Sequence, residues 1–163
     1  MNDRLSVNIN SLAGTDQLGR SLGHLLLKNM IVALIGPLGA GKTHFVRAIA
    51  DGLGMVNPNL VTSPTFVLIQ EYRARIPIFH FDAYRLSHSG AFLDLGVEEY
   101  YEAGGVCLIE WADRISAALP RDYLRIDIEP GPGESRRFMF QSESLLYRPL
   151  IEELRSALPH RIE

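Results

Sequence analysis

A lysine and a hydroxyl close the glycine-rich octapeptide Gly36-Pro37-Leu38-Gly39-Ala40-Gly41-Lys42-Thr43, and together they are suited to gripping phosphate. Glycines let successive backbone N–H groups converge on phosphate oxygens, and a helix that starts where the loop ends aims its positive dipole end at the same point. In the pattern G-x-x-x-x-G-K-[ST] the lysine reaches the β/γ-phosphates and the hydroxyl coordinates Mg²⁺. Lys42 and Thr43 take those roles here, and Gly36, Leu38, Gly39, Ala40 and Gly41 supply the cradle.

Two acids are candidates for the other side of such a site. Asp82 closes the apolar run 76–81, where a Walker-B carboxylate would hold Mg²⁺ opposite Thr43, although a strand-end aspartate is also a common turn former. Glu110 closes a second apolar run, 106–109, and ligands of open α/β sheets bind at the carboxyl ends of strands. Glu110 is either a metal ligand or a general base that orients the attacking water, and spacing does not separate the two. Thr65 follows the stiff Ser63-Pro64 step, in a loop where nucleotide switches place a hydroxyl against γ-phosphate or Mg²⁺. Trp111, beside Glu110, is open to three readings: a shield for the site, a partner surface, or core.

Such residues need a scaffold, and the sequence predicts one. The apolar run Ile31–Ile35 reads as a strand buried on both faces, and Phe45, Val46, Ile49 and Leu53 then recur at helical spacing. Ahead of it, Thr15 caps a helix with Leu18, Leu22, Leu25 and Leu26 on one face, and Gly19 and Gly23 allow close packing against the sheet. Residues 66–72 and 76–81, joined by Arg73-Ala74-Arg75, form an antiparallel pair. A helix over 92–103, a buried strand over 106–109, a half-solvated strand around Leu124, Ile126 and Ile128, a strand around 138–140 and a last helix within 144–158 complete the pattern. The expected architecture is a three-layer α/β domain spanning 1–163, with a mixed, mainly parallel central sheet and antiparallel edge strands.

Composition narrows the functional classes. A net charge of −3 with scattered Lys and Arg gives no footprint for strong autonomous nucleic-acid binding, so an RNA would be held by another subunit. The single cysteine, Cys107, forms no disulfide framework and reads as core, and the five histidines lack paired metal-ligand spacing. The longest apolar stretch, around 25–35, is interrupted by Lys28 and Asn29, and no signal peptide opens the chain. A cytoplasmic protein without membrane contact is expected. An N-K-x-D motif for guanine is missing, and Asp51-Gly52-Leu53-Gly54 reads as a helix C-cap, so adenine is the expected base.

Ordered along the chain, Leu38-Gly39-Ala40-Gly41-Lys42-Thr43, Ser63-Pro64-Thr65-Phe66, His80-Phe81-Asp82-Ala83-Tyr84-Arg85-Leu86, the pairs Leu95-Gly96 and Glu99-Tyr100, and Ile109-Glu110-Trp111 resemble the TsaE (YjeE) family. These are bacterial P-loop ATPases needed to make the threonylcarbamoyladenosine modification of tRNA. The resemblance implies ATP and Mg²⁺ as ligands, with Thr43, Asp82 and Glu110 on the metal side, Lys42 on the phosphates and Thr65 in a switch-like loop. It further implies nucleotide contacts from Thr15 near the base and from Arg136. Weak ATPase activity stimulated by a TsaB–TsaD heterodimer, with tRNA engaged only indirectly, is the implied function. Pro37, His44 and Ala83 depart from the family pattern, which commonly has an acidic residue, a second threonine and a leucine there. Two other classes fit a P-loop domain: a small-molecule kinase, and an assembly switch that binds ATP without turnover.

Overall fold

Alternation of Leu5, Val7 and Ile9 with Arg4, Ser6 and Asn8 builds the first strand, β1 (Asp3–Ile9), of the computed structural model, which describes residues 3–158. Sequence reading assigned no element there, although the period-two pattern is the signal. The chain continues as α1 (Leu12–Leu25), β2 (Ile31–Ile35), α2 (Lys42–Gly52), β3 (Ile69–Tyr72), β4 (Ile78–Asp82), α3 (Ser89–Leu93), α4 (Val97–Tyr101), β5 (Val106–Glu110), β6 (Leu124–Pro130), β7 (Arg136–Ser142) and α5 (Arg148–Ala157). Short 3-10 segments occupy Pro58–Leu60, Ala112–Ala118 and Leu145–Tyr147. Among the described residues no helix is long and apolar enough to cross a membrane.

All seven strands join one sheet in the order β1-β7-β6-β2-β5-β4-β3. Its centre, β6-β2-β5-β4, is parallel, and the margins pair antiparallel. Parallel central strands must be covered on both faces. Val32 and Leu34 enter a core shared with Leu18, Phe45, Ile49 and Ile151, whereas Ile31 and Ala33 enter a second core with Phe92, Val97 and Ile115. The three-layer mixed α/β class is therefore present. Each fully buried Leu, Ile or Phe contributes about 1.5–3 kcal/mol, and the backbone entropy of folding opposes that gain.

Several local expectations are corrected. The cap of α1 is Ser11, whose Oγ accepts the Gly14 N–H at 3.0 Å; Thr15 sits inside the helix. Gly19 and Gly23 face α2 rather than the sheet, against Ala48 and Gly52. The strand expected over 66–72 is reduced to β3, because Leu68 adopts a left-handed φ of 70° and its N–H turns back to Pro64 O at 2.6 Å. The helix expected over 92–103 is two short helices, parted where Gly96 takes φ 76°. Pro149 lies in the first turn of α5, where its missing N–H costs no hydrogen bond. β6 is half-solvated as read, with Leu124, Ile126 and Ile128 inward.

Candidate functional site

Because β2, β4 and β5 run in parallel, their carboxyl ends reach one edge of the sheet, and the glycine-rich loop, Asp82 and Glu110 emerge there together. Asp82 and Glu110 are register partners on β4 and β5. Sequence placement of the acids at strand ends is thus converted by topology into proximity.

Two glycines shape the loop. A Cβ on Gly36 would come within 2.6 Å of Ile128 O on β6, so only glycine lets the chain leave β2 this close to its neighbour. Gly41 is the N-cap of α2 with φ 96°, a left-handed conformation that glycine adopts without a Cβ penalty. Among the described residues, the amides of Gly39, Gly41, Lys42 and Thr43 find no acceptor in the protein, and one internal bond, Ala40 N–H to Pro37 O at 3.0 Å, braces the loop. Orphan donors at a helix N-terminus are an anion cradle.

Lys42 Nζ donates to Gly36 O at 2.7 Å and Pro37 O at 2.9 Å, and it stands 3.9 Å from the centroid of the Trp111 ring. Burial lowers the Lys42 pKa from its ordinary value, and the carboxylates of Glu110, Asp113 and Asp82 oppose that shift. Pro37 therefore supplies an acceptor where it lacks a donor. Trp111 itself takes a left-handed φ of 59°, which turns the chain sharply after β5 and brings the indole beneath the ammonium. The ring lines the groove and is at the same time packed, partly buried, against the second core.

Across the groove, Thr43 Oγ1 donates to the Glu110 carboxylate, at 2.8 Å from Oε1 and 3.0 Å from Oε2. Glu110 is 2% exposed, so its carboxyl is cut off from water and depends on partners within the protein. His80 Nε2 lies 2.6 Å from Glu110 Oε2 on the other side of the carboxylate. On the other acid, Asp82 Oδ2 accepts from Ser63 Oγ at 2.7 Å and Thr65 Oγ1 at 3.2 Å, while Oδ1 accepts the Tyr84 N–H at 2.8 Å. The loop carrying Thr65 is tied to the carboxylate by both hydroxyls.

The groove has a volume of about 440 Å³ and is lined by Leu38, Gly39, Gly41, Lys42, Thr43, His44, Ser63, Thr65, Asp82, Tyr84, Glu110 and Trp111. Lys42, Thr43, Thr65, Asp82 and Glu110, singled out one by one in the sequence, are brought together. Ala40 is buried in the loop, and its carbonyl accepts Arg136 Nε at 2.9 Å, so Arg136 grips the cradle from the start of β7. Thr15 lies outside the groove lining, buried in α1, and its Oγ1 has no hydrogen-bond partner among the described residues. His44 pairs with Asp16 on α1 at 2.7 Å.

Two polar members, His80 and Ser63, stand in motifs that carry the resemblance but were given no role in the sequence. His80 stands two residues before Asp82 on one strand, hence on the same face, and that period was the available signal. Ser63 was read as the residue restricted by Pro64 and as the first residue of a motif, and nothing in the sequence gave it a partner.

Comparison with known proteins bears on the whole arrangement. A family model described as threonylcarbamoyl adenosine biosynthesis protein TsaE matches residues 9–138. The tRNA threonylcarbamoyladenosine biosynthesis protein TsaE of Bacillus subtilis is 41% identical over 125 residues, covering 76% of this chain and 77% of that protein. The protein of the same name from Treponema pallidum is 40% identical over 118 residues, covering 72% and 86%. The crystal structure of Bacillus subtilis YdiB superposes with a TM-score of 0.83 at 32% identity and covers 96% of this chain and 97% of the other.

Proposed function

The chain belongs to the TsaE family of threonylcarbamoyl adenosine biosynthesis proteins, and from that we propose a Mg²⁺-dependent ATPase that works with a TsaB–TsaD pair in threonylcarbamoylation of adenosine in tRNA. The observation that carries this reading is the cradle of unpaired amides with Lys42 at its centre, facing two strand-end carboxylates across one groove.

The residues fit the ligands. Loop amides and the α2 N-terminus would take phosphate oxygens, and Lys42 would exchange its bonds to Gly36 O and Pro37 O for the β/γ-phosphates. Thr43, Asp82 and Glu110 would hold Mg²⁺, with the remaining oxygens supplied by substrate and water, as is usual for this ion. Bound there, the cation would neutralise charge on the transferring phosphoryl group. Glu110, dry and acceptor-only, can also take a proton from an attacking water, and Trp111 keeps bulk water from the ammonium side. Thr65 and Ser63, both bonded to Asp82, would report occupancy of the site through their loop. We place this work in the cytoplasm, with tRNA held by the partner complex.

Phosphate release measured with and without purified TsaB–TsaD and tRNA is the test, and stimulation by the complex is expected. A small-molecule kinase would instead pass labelled γ-phosphate to a metabolite. Residues 90–105, where a phosphoryl-clamping lid would sit, contain no arginine. Failure of the complex to raise hydrolysis, together with a difference in partner affinity between ATP and ADP, would favour a non-hydrolysing switch.

A further inference from the structure

His80 is fully buried in the middle of β4, and its ring nitrogens are used unequally. Nε2 lies 2.6 Å from Glu110 Oε2, whereas Nδ1 is buried with no hydrogen-bond partner among the described residues. With the carboxylate as the acceptor, Nε2 would carry the proton and Nδ1 would be left as a bare acceptor inside the core. A leucine or phenylalanine would fill the same space without stranding a polar atom, so packing does not account for an imidazole here.

Holding Glu110 does account for it. Thr43 Oγ1 is nearly equidistant from both Glu110 oxygens, so alone it does not distinguish one from the other. His80 touches only Oε2 and breaks that symmetry. We infer that His80 is a positioning residue that pins Oε2 of Glu110 and presents Oε1 as the working oxygen toward the groove. The role rests on the hydrolase reading above for what Oε1 does, and on geometry alone for the pinning. Were Thr43 Oγ1 to serve a cation instead of Glu110, His80 would still anchor the carboxylate. Outer partners of this kind fix ligand orientation in metal sites.

The variants are His80→Leu, which keeps volume and removes the donor, and His80→Gln, whose Nε2 amide can reach the same oxygen. Partner-stimulated phosphate release and ATP affinity by calorimetry are measured on each, and the His80 Nε2–H signal in NMR is measured on the wild type and on Glu110→Ala. His80→Leu should lower kcat by roughly 10–100-fold with ATP affinity little changed, and His80→Gln should recover most of the loss. Combined with Glu110→Gln, the leucine variant should add no further loss, because both act through one group. Should His80→Leu not fold, His80→Asn replaces it, since its amide is too short to reach Glu110. Unchanged kcat, a parallel fall in affinity and turnover, or no rescue by glutamine would overturn the inference. The NMR arm separates this failure from that of the hydrolase reading. A wild-type chain that releases no phosphate defeats the hydrolase, whereas a Nε2–H signal indifferent to Glu110→Ala defeats the pinning.

Discussion

Lys42 is a cation held in reserve: its ammonium is satisfied by two carbonyls of its own loop and by the Trp111 ring, so it is ordered before any anion arrives. Pre-ordering spares entropy on binding, and most of the affinity for a triphosphate should therefore run through this one side chain. Lys42→Ala should weaken ATP binding on the order of a hundredfold or more, about 3 kcal/mol, as read by calorimetry. Glu110→Ala, by contrast, should retain much of the binding and lose turnover, which single-turnover kinetics would resolve. A different single residue, Cys107, is buried and its pKa is pushed up to about 12 by desolvation. Its thiol should react with a disulfide reagent near neutral pH only as fast as the chain opens, a rate that added denaturant should raise. Lys42, Thr43, Asp82 and Glu110 were legible because each belongs to a motif or ends an apolar run. The role of His80 was not, since its motif and its spacing from Asp82 put it on the right face but only topology sets it beside a carboxylate from another strand.

Helix α1 lies against α2 through glycines, and this contact decides how firmly the phosphate loop is backed. A Cβ on Gly23 would overlap Ile49 O and approach Gly52 Cα at 2.8 Å, both backbone and neither able to swing away. Gly23→Ala should cost roughly 1–3 kcal/mol in denaturant unfolding and should weaken ATP binding if α2 shifts. The sequence disclosed these glycines but not their partner, because helical spacing says which face is small and not what meets it. A second junction links the 3-10 segment ahead of α5 to the sheet: the Ile31 N–H, at the start of β2, donates to Tyr147 Oη at 2.8 Å. Desolvation pushes the Tyr147 phenol up to about 12, with the Ile31 amide pulling the other way. The unfolded chain ionises at the ordinary value of about 10, so above it the unfolded state binds fewer protons and stability falls. The contribution is whole below about 10 and lost as pH rises toward about 12. Tyr147→Phe should flatten that decline and, by stranding the Ile31 amide, cost about 1–3 kcal/mol at neutral pH.

Over the whole molecule, three parallel strands and the loops at their carboxyl ends gather the groove, while the β6–β7 hairpin braces it through Arg136 and Ala40. Ligand binding at such a junction should tie the layers together. With Mg²⁺ and ATP at a hundred times the dissociation constant, the folded state gains about 2.7 kcal/mol by mass action, a rise in Tm that Lys42→Ala should abolish. Layering and strand identity were legible from apolar runs such as Ile31–Ile35, whose two faces feed two cores. The strand order was not, since β1 joins β7 across nearly the full chain length and no local pattern encodes that pairing. The left-handed turn at Trp111 has one more consequence. It places the chain's only indole directly under an ammonium, so the protein carries its own optical gauge. Departure of that cation toward a triphosphate should change the intensity and colour of ultraviolet-excited emission, and a titration followed in a fluorimeter would read loop occupancy without any label.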